Sequence, residues 1–108
     1  MNSGDETITT ELWLVRHGQT DWNLQGRYQG NTDVPLNATG QAQAIEMAKL
    51  VDGSRLRAIY SSDLQRAYVT AQAVAERWQM PIRCDARLRE VHLGKWEGLV
   101  SGEIEALY

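Results

Sequence analysis

The residues best suited to chemistry lie in one short run, Arg16-His17-Gly18, which directly follows the apolar residues Leu12 to Val15. An arginine and an imidazole beside a glycine suit an anion, because arginine binds oxyanions through paired hydrogen bonds and glycine lets the backbone approach a ligand. Residues 11–15 are predicted to form a β-strand, and ligands of open α/β sheets bind beyond the carboxyl ends of strands. We therefore predict a site at Arg16 and His17.

The elements that must position this site follow as loop, helix and strand. Residues 18–38 are rich in Gly, Asn, Gln and Asp and lack an apolar period, which predicts a long loop of a kind that is often functional. Asn37 is placed to cap a helix that runs to about Val51. Residues 56–60 predict a second strand, and the order strand, helix, strand predicts a parallel pair with a right-handed crossover.

A second helix carries another cation. Ser62 and Gln65 have the spacing of a capping box at its start, and its apolar residues follow the helical period as far as Trp78. Arg66 lies in its first turn, beside free backbone N–H groups that favour anions, although a single arginine is more often solvated. Three further features are predicted downstream: a helix end at Pro81, a short strand over residues 82–84 and a helix that begins at Ser101.

Composition limits the class of protein without choosing a function. The 108 residues allow one ordinary domain, and a net charge of -3 argues against a nucleic-acid partner, which would need an excess of Lys and Arg. Cys84 is the only cysteine, so no intramolecular disulfide can form, and a cytoplasmic location is expected. No apolar run is long enough to predict a membrane partner, and residues 1–10 are expected to be a flexible tail.

Several motifs in a fixed order resemble the first half of the histidine phosphatase superfamily, in its phosphoglycerate mutase-like branch. They are Leu14 to Asn23, Gly26 to Gly30, Asp33 to Asn37 with Gly40, Ser61 to Ala67 with Thr70-Ala71, and Leu88 to Gly94 with Glu97-Gly98. The resemblance implies a three-layer α/β/α fold with a mainly parallel sheet. It also implies that residues 11–108 form the N-terminal part of a single phosphoglycerate mutase-like domain.

The resemblance implies a role for each matching residue. His17 is the expected nucleophile, which attacks phosphorus and becomes a phosphohistidine, and Glu90 is the expected acid-base group. The expected phosphate-binding residues are Arg16, Arg66 and Asn23, and the residues expected to line the substrate pocket are Gly18, Gln29 and Gly30. No cofactor is expected and no metal either, because the two histidines fall in no familiar metal-binding spacing.

Members of this family carry a second pocket histidine on a later strand, and no residue of this chain matches it. We therefore expect a truncated fold with an incomplete phosphate clamp and an uncovered sheet edge, which a homodimer could cover. Three functions stay open: a phosphatase of small phosphomonoesters, a phosphoglycerate mutase, and an inactive fragment that binds phosphorylated ligands or a partner protein. Gln29 stands where the mutases usually carry a threonine, which favours hydrolysis.

Overall fold

The computed structural model describes residues 11–90 and 93–107, so the tail predicted over residues 1–10 lies outside the described part. The described helices are α1 (Asp21–Gln25), α2 (Ala38–Leu50), α3 (Gln65–Trp78) and α4 (Ser101–Leu107), and the strands are β1 (Ile59–Ser61) and β2 (Ile82–Cys84). Short 3₁₀ turns lie at Gly53–Arg55, Ala86–Leu88 and Gly94–Trp96. None of the described helices combines the length and the apolar character needed to cross a membrane.

The two strands form a parallel pair. Ile59 lies opposite Ile82 and Ser61 opposite Cys84, and α3 is the connection between the strands. The α/β class and a parallel sheet are thereby confirmed. The strand predicted over residues 82–84 is β2, whereas the one predicted over residues 56–60 is displaced to β1.

The prediction of a strand over residues 11–15 is wrong. Residues 11–19 have no regular secondary structure, and Leu12 and Leu14 are 76% and 87% exposed. A strand needs a hydrogen-bonded neighbour, and in the described part of the chain β1 pairs with β2 and not with residues 11–15. An apolar, β-prone composition shows that a segment is compatible with a sheet. It does not show that a neighbouring strand is available for pairing.

Helix α2 begins where the sequence predicts. The side chain of Asn37 accepts a hydrogen bond of 2.8 Å from the backbone N–H of Gly40, which satisfies one of the free donors at the helix start. The inner face of α2 is narrow, and Ala48 on this face contributes to a small core with Val51 and Val74. Helix α2 is thereby packed against α3.

Helix α3 is capped by a residue distant in sequence. The predicted capping box of Ser62 and Gln65 is absent, because the residue before the helix is Leu64, which has no capping side chain. Asp33 takes this role, and its carboxylate accepts a hydrogen bond of 2.7 Å from the backbone N–H of Gln65. The carboxylate also interacts favourably with the positive end of the helix dipole.

The loop predicted over residues 18–38 is irregular except for α1 and a bridge between Thr20 and Leu36. Helix α1 begins at a reciprocal capping box. The hydroxyl of Thr20 accepts a hydrogen bond from the backbone N–H of Asn23, and the side-chain oxygen of Asn23 accepts one from the N–H of Thr20. Thr20 is fully buried, so it anchors this loop to the rest of the fold.

The backbone that follows His17 is in close contact with the first turn of α2. A Cβ atom on Gly40 would lie 2.0 Å from the carbonyl oxygen of Gln19, and one on Gly18 would lie 2.3 Å from the carbonyl oxygen of Gly40. Neither backbone can move away without opening the contact between the loop and the helix. Glycine is therefore required at both positions, and the contact fixes where His17 sits against α2.

Gly40→Ala is expected to lower the free energy of unfolding by about 1–3 kcal/mol or more, because the added methyl group overlaps the Gln19 carbonyl. Urea denaturation followed by circular dichroism measures the change. Gly102→Ala in α4 is the matched control, since its Cβ would meet no atom within 4 Å and alanine favours a helix. Equal stability of Gly40→Ala and the unmodified chain would contradict the proposed close contact.

Candidate active site

The backbone selects one tautomer of His17. Its Nδ1 atom lies 2.6 Å from the carbonyl oxygen of Gly18. A carbonyl oxygen accepts hydrogen bonds and never donates them, so Nδ1 carries a proton. In the neutral ring Nε2 therefore keeps its lone pair, and this atom can act as a nucleophile or a base.

Glu90 lies between His17 and Arg66. One carboxylate oxygen is 3.6 Å from Nε2 of His17, and the other is 3.6 Å from Nη2 of Arg66. The Glu90 side chain is 55% exposed, whereas that of His17 is 15% exposed, so the carboxylate stands at the solvent side of the imidazole. A carboxyl group in this place can exchange protons with a molecule bound over Nε2.

Arg66 is a buried cation, with 1% of its surface exposed. Its Nη1 donates a hydrogen bond of 2.7 Å to the carbonyl of Thr32, and its Nη2 donates one of 2.6 Å to the carbonyl of Gly30. A buried charge is tolerated when it is paired and hydrogen-bonded. The two carbonyls and the Glu90 carboxylate meet this requirement at the first turn of α3.

A cavity of about 390 Å³, which we call the site cavity, contains most of the predicted site residues. Those that line it are Arg16, His17, Asn23, Gln29, Gly30 and Glu90, and the others are Val15, Arg27, Tyr28 and Leu93. Arg66 does not line the site cavity and stands behind Gly30 and Glu90. Gly18 lies instead beside a smaller cavity of about 160 Å³, next to Gln43 and Thr70.

The site cavity offers hydrogen-bond donors to a ligand. The side-chain oxygens of Asn23 and Gln29 both accept hydrogen bonds from Thr20, at 3.0 and 2.6 Å, which leaves their NH₂ groups for other partners. In the described part of the chain the guanidinium of Arg16 has no hydrogen bond or ion pair. Donors of this kind suit an anionic ligand.

Thr70 supports the site, a role that the sequence motifs do not assign to it. Its hydroxyl accepts a hydrogen bond of 3.1 Å from the backbone N–H of Gly18 and donates one of 2.7 Å to the carbonyl of Arg66. The segment that carries His17 is thereby joined to the helix that carries Arg66. The available signal was the spacing of Thr70 and Arg66, which lie one helical turn apart on α3.

The segment that carries Glu90 is tied to the start of α3 by an ion pair. Nε and Nη2 of Arg89 donate to the two carboxylate oxygens of Asp63, at 2.7 and 2.6 Å. The hydrogen bonds from Arg89 hold the pKa of Asp63 below its usual value of 3.8. Because Arg89 immediately precedes Glu90, this pair helps to set the position of Glu90 relative to Arg66.

Comparison with known proteins gives one consistent result. The family model of the histidine phosphatase superfamily, branch 1, matches residues 12–108. The chain is 45% identical over 95 residues to the glucosyl-3-phosphoglycerate phosphatase of Mycobacterium tuberculosis, covering 88% of this chain and 43% of that protein. It is 42% identical over 87 residues to a probable phosphoglycerate mutase of Serratia proteamaculans, covering 81% of this chain and 40% of that protein.

A solved structure agrees with these relatives. The mycobacterial glucosyl-3-phosphoglycerate phosphatase in complex with VO3 superposes with a TM-score of 0.80 at 46% sequence identity, over 83% of this chain and 45% of that chain. The phosphoglycerate mutase-like fold expected from the motifs is thereby confirmed. The chain spans less than half the length of the curated relatives named above.

Arg89→Gln is expected to raise the pKa of Asp63 toward 3.8, because the guanidinium no longer stabilises the carboxylate. Since the pKa of the folded state lies below the ordinary value, the ion pair stabilises the fold fully above about pH 4. That contribution is lost as the pH falls through the lower pKa of the folded state. An NMR titration of the aspartate carboxyl carbons measures the shift.

Arg87→Gln is the matched control for this titration. Arg87 donates to Asp85 in a second exposed pair and lowers the pKa of Asp85 in the same way. This variant should raise the pKa of Asp85 and leave that of Asp63 unchanged. If Arg89→Gln leaves the Asp63 titration unchanged, Arg89 does not hold this segment as described.

Proposed function

Because the chain belongs to the histidine phosphatase superfamily, we propose that it hydrolyses small phosphomonoesters through a phosphohistidine on His17. The observation that carries the proposal is the state of Nε2 of His17. Its lone pair is available because Nδ1 donates to the Gly18 carbonyl, and the Glu90 carboxylate stands 3.6 Å away. A nucleophile and an acid-base group therefore meet at one point of a cavity that offers donors to an anion.

In the first step, Nε2 of His17 attacks phosphorus and forms a P–N bond while the P–O bond to the organic group breaks. The electron pair of that bond leaves with the alkoxide oxygen, which takes a proton from the carboxyl group of Glu90. The proton that Glu90 gives up here is regained from the water molecule of the second step.

In the second step, the Glu90 carboxylate removes a proton from a water molecule, whose oxygen attacks the phosphohistidine. The P–N bond breaks, its electron pair returns to Nε2, and inorganic phosphate leaves. The Gly18 carbonyl holds the Nδ1 proton of His17 throughout. The imidazole therefore returns to the tautomer from which it started.

The charge that develops on the three equatorial oxygens needs fixed donors. We assign this role to the guanidinium of Arg16 and the NH₂ group of Asn23, and the positive charge of Arg66 behind them adds to the attraction for phosphate. Gln29 and Gly30 line the cavity where the organic part of the substrate would lie. Gly18 contributes through its backbone, which orients His17 and contacts α2.

The proposed substrate is a small phosphorylated metabolite, and a cytoplasmic location belongs to the same proposal. The name of the mycobacterial relative places glucosyl-3-phosphoglycerate among the compounds hydrolysed by this family. A second candidate is phosphoglycerate mutase activity, which the name of the Serratia relative favours. Against it stands Gln29, at the position where the mutases usually carry a threonine.

His17→Ala is expected to abolish phosphate release from 3-phosphoglycerate, and Glu90→Gln to slow it by about 10²- to 10⁴-fold, because an amide cannot protonate the leaving alkoxide. A colorimetric phosphate assay measures both rates. Glu76→Gln is the matched control, since Glu76 is an exposed acid of α3 outside the cavity, and its rate should be unchanged.

Three outcomes separate the candidate functions. Equal phosphate release by the unmodified chain and His17→Ala would exclude the phosphohistidine route. Binding of inorganic phosphate without any turnover would favour the inactive binding fragment. Formation of 2-phosphoglycerate in the presence of a bisphosphoglycerate primer would favour the mutase.

We also propose that two copies of the chain associate through residues 12–15. Leu14 is 87% exposed, and contiguous exposed apolar side chains commonly mark an association surface. Light scattering should give the mass of a dimer for the unmodified chain and of a monomer for Leu14→Asp. Leu24→Asp, at a 70% exposed leucine of α1, is the matched control and should remain dimeric. A monomeric unmodified chain would contradict this proposal.

A further inference from the structure

We propose that Glu97 is a positioning residue, which sets the separation between Arg66 and the segment that follows Glu90. The motifs include Glu97 but give it no role, and it does not line the site cavity. The contacts of its carboxylate support the structural part of the inference. Its effect on catalysis rests on the proposed function.

The carboxylate of Glu97 connects two separate segments of the chain. Oε2 accepts hydrogen bonds from the backbone N–H of Asn31, at 3.2 Å, and from that of Leu93, at 3.1 Å. Oε1 accepts a hydrogen bond from the hydroxyl of Thr32. One side chain therefore holds the turn around Asn31 and the segment after Glu90 at a fixed distance from each other.

The turn that Glu97 holds is also the turn that holds Arg66. It is closed by a hydrogen bond of 2.9 Å from the N–H of Thr32 to the carbonyl of Gln29. The carbonyls of Gly30 and Thr32 accept from the Arg66 guanidinium, whereas the N–H of Asn31 and the hydroxyl of Thr32 donate to Glu97. Any shift of this turn away from Glu97 would move both carbonyls that fix Arg66.

Gly30 shows how closely the carboxylate is packed against this turn. A Cβ atom on Gly30 would lie 2.6 Å from Oε2 of Glu97, and the backbone there has a φ of +53°, which glycine adopts most readily. The carboxylate thus occupies the space where a side chain would otherwise stand.

The segment that Glu97 holds through Leu93 also lines the site cavity. Leu93 lines this cavity and lies on the segment that follows Glu90. One carboxylate oxygen of Glu90 in turn lies 3.6 Å from Nη2 of Arg66, and the other lies 3.6 Å from Nε2 of His17. Releasing the N–H of Leu93 from Glu97 would let this segment move relative to the guanidinium, and displacements of about 1 Å are costly in active sites.

The hydrogen bonds from Asn31, Thr32 and Leu93 require a polar partner at the end of the side chain and do not require a negative charge. A glutamine could accept from Asn31 and Leu93 through its oxygen, while its NH₂ group donates to the Thr32 hydroxyl, which can accept as well as donate. A leucine fills a similar volume and makes none of these bonds. Glutamine should therefore preserve the function of Glu97, and this outcome separates positioning from a role in proton transfer.

The test compares Glu97→Leu with Glu97→Gln by two measurements. Calorimetry with inorganic phosphate and steady-state kinetics should show a loss of about tenfold to a hundredfold in phosphate affinity and kcat/KM for Glu97→Leu. Glu97→Gln should stay within about twofold, since its hydrogen bonds are retained. Glu46→Leu is the matched control, because Glu46 pairs with Lys49 on the exposed side of α2.

The second measurement follows Arg66 directly and needs no activity. NMR of arginine side chains should show slowly exchanging guanidinium protons of Arg66 in the unmodified chain, Glu97→Gln and Glu46→Leu, and fast exchange in Glu97→Leu. Should Glu97→Leu fail to fold by circular dichroism, Thr32→Val removes one of the three contacts and should accelerate the same exchange.

Two results would overturn the proposal: unchanged Arg66 exchange and phosphate affinity in Glu97→Leu, or a loss in Glu97→Gln as large as in Glu97→Leu. A failure of the proposed function would give a different result from a failure of the Glu97 proposal. If the unmodified chain neither binds nor releases phosphate while Arg66 exchange responds as expected, Glu97 still positions Arg66 and the phosphatase proposal is wrong.

Discussion

A guanidinium taken out of water must be surrounded by acceptors, and much of the structure around Arg66 is arranged by that requirement. An unpaired buried charge costs several kcal/mol even after the protein relaxes. The turn at residues 29–32 therefore directs two carbonyls inward, and Glu90 reaches the same cation from the other side. The cap that Asp33 places on α3 comes from the same loop, so the helix and the turn are fixed together, and a Glu90 oxygen lies 3.6 Å from Nη2 of Arg66.

Two buried threonines hold other groups of the site in place through hydrogen bonds. Thr20 accepts a hydrogen bond from Asn23 and donates one to Gln29, and Thr70 accepts from Gly18 and donates to the carbonyl of Arg66. A hydroxyl that both accepts and donates fixes the direction of each bond. The hydrogen-bonding ends of the neighbouring groups are thereby determined before any ligand arrives.

Local rules predicted the parts of the fold that depend on neighbours in sequence: α2 with its Asn37 cap, the body of α3, and β2. They failed where the partner is distant, since the cap of α3 comes from Asp33, 32 residues away from Gln65, and the strand over residues 11–15 found no neighbour in the described part. The motifs include most of the residues that line the site cavity. The sequence shows that Thr70 and Arg66 lie one helical turn apart. The contact of Thr70 with Gly18, the contacts of Glu97 with the turn around Asn31, and the meeting at Glu90 depend on tertiary distances that no spacing encodes.

The position of Glu90 places an anion of the protein itself beside the cations of the site. Its carboxylate already serves as counter-ion to Arg66 and stands 3.6 Å from both the imidazole and the guanidinium. An incoming anion competes with this internal one, and a monoanion such as chloride brings no more charge than the carboxylate it meets. A phosphate dianion brings more, so its Coulomb attraction to the arginines exceeds what Glu90 supplies. At an equal distance from the arginines, the arrangement therefore favours a dianion over a monoanion.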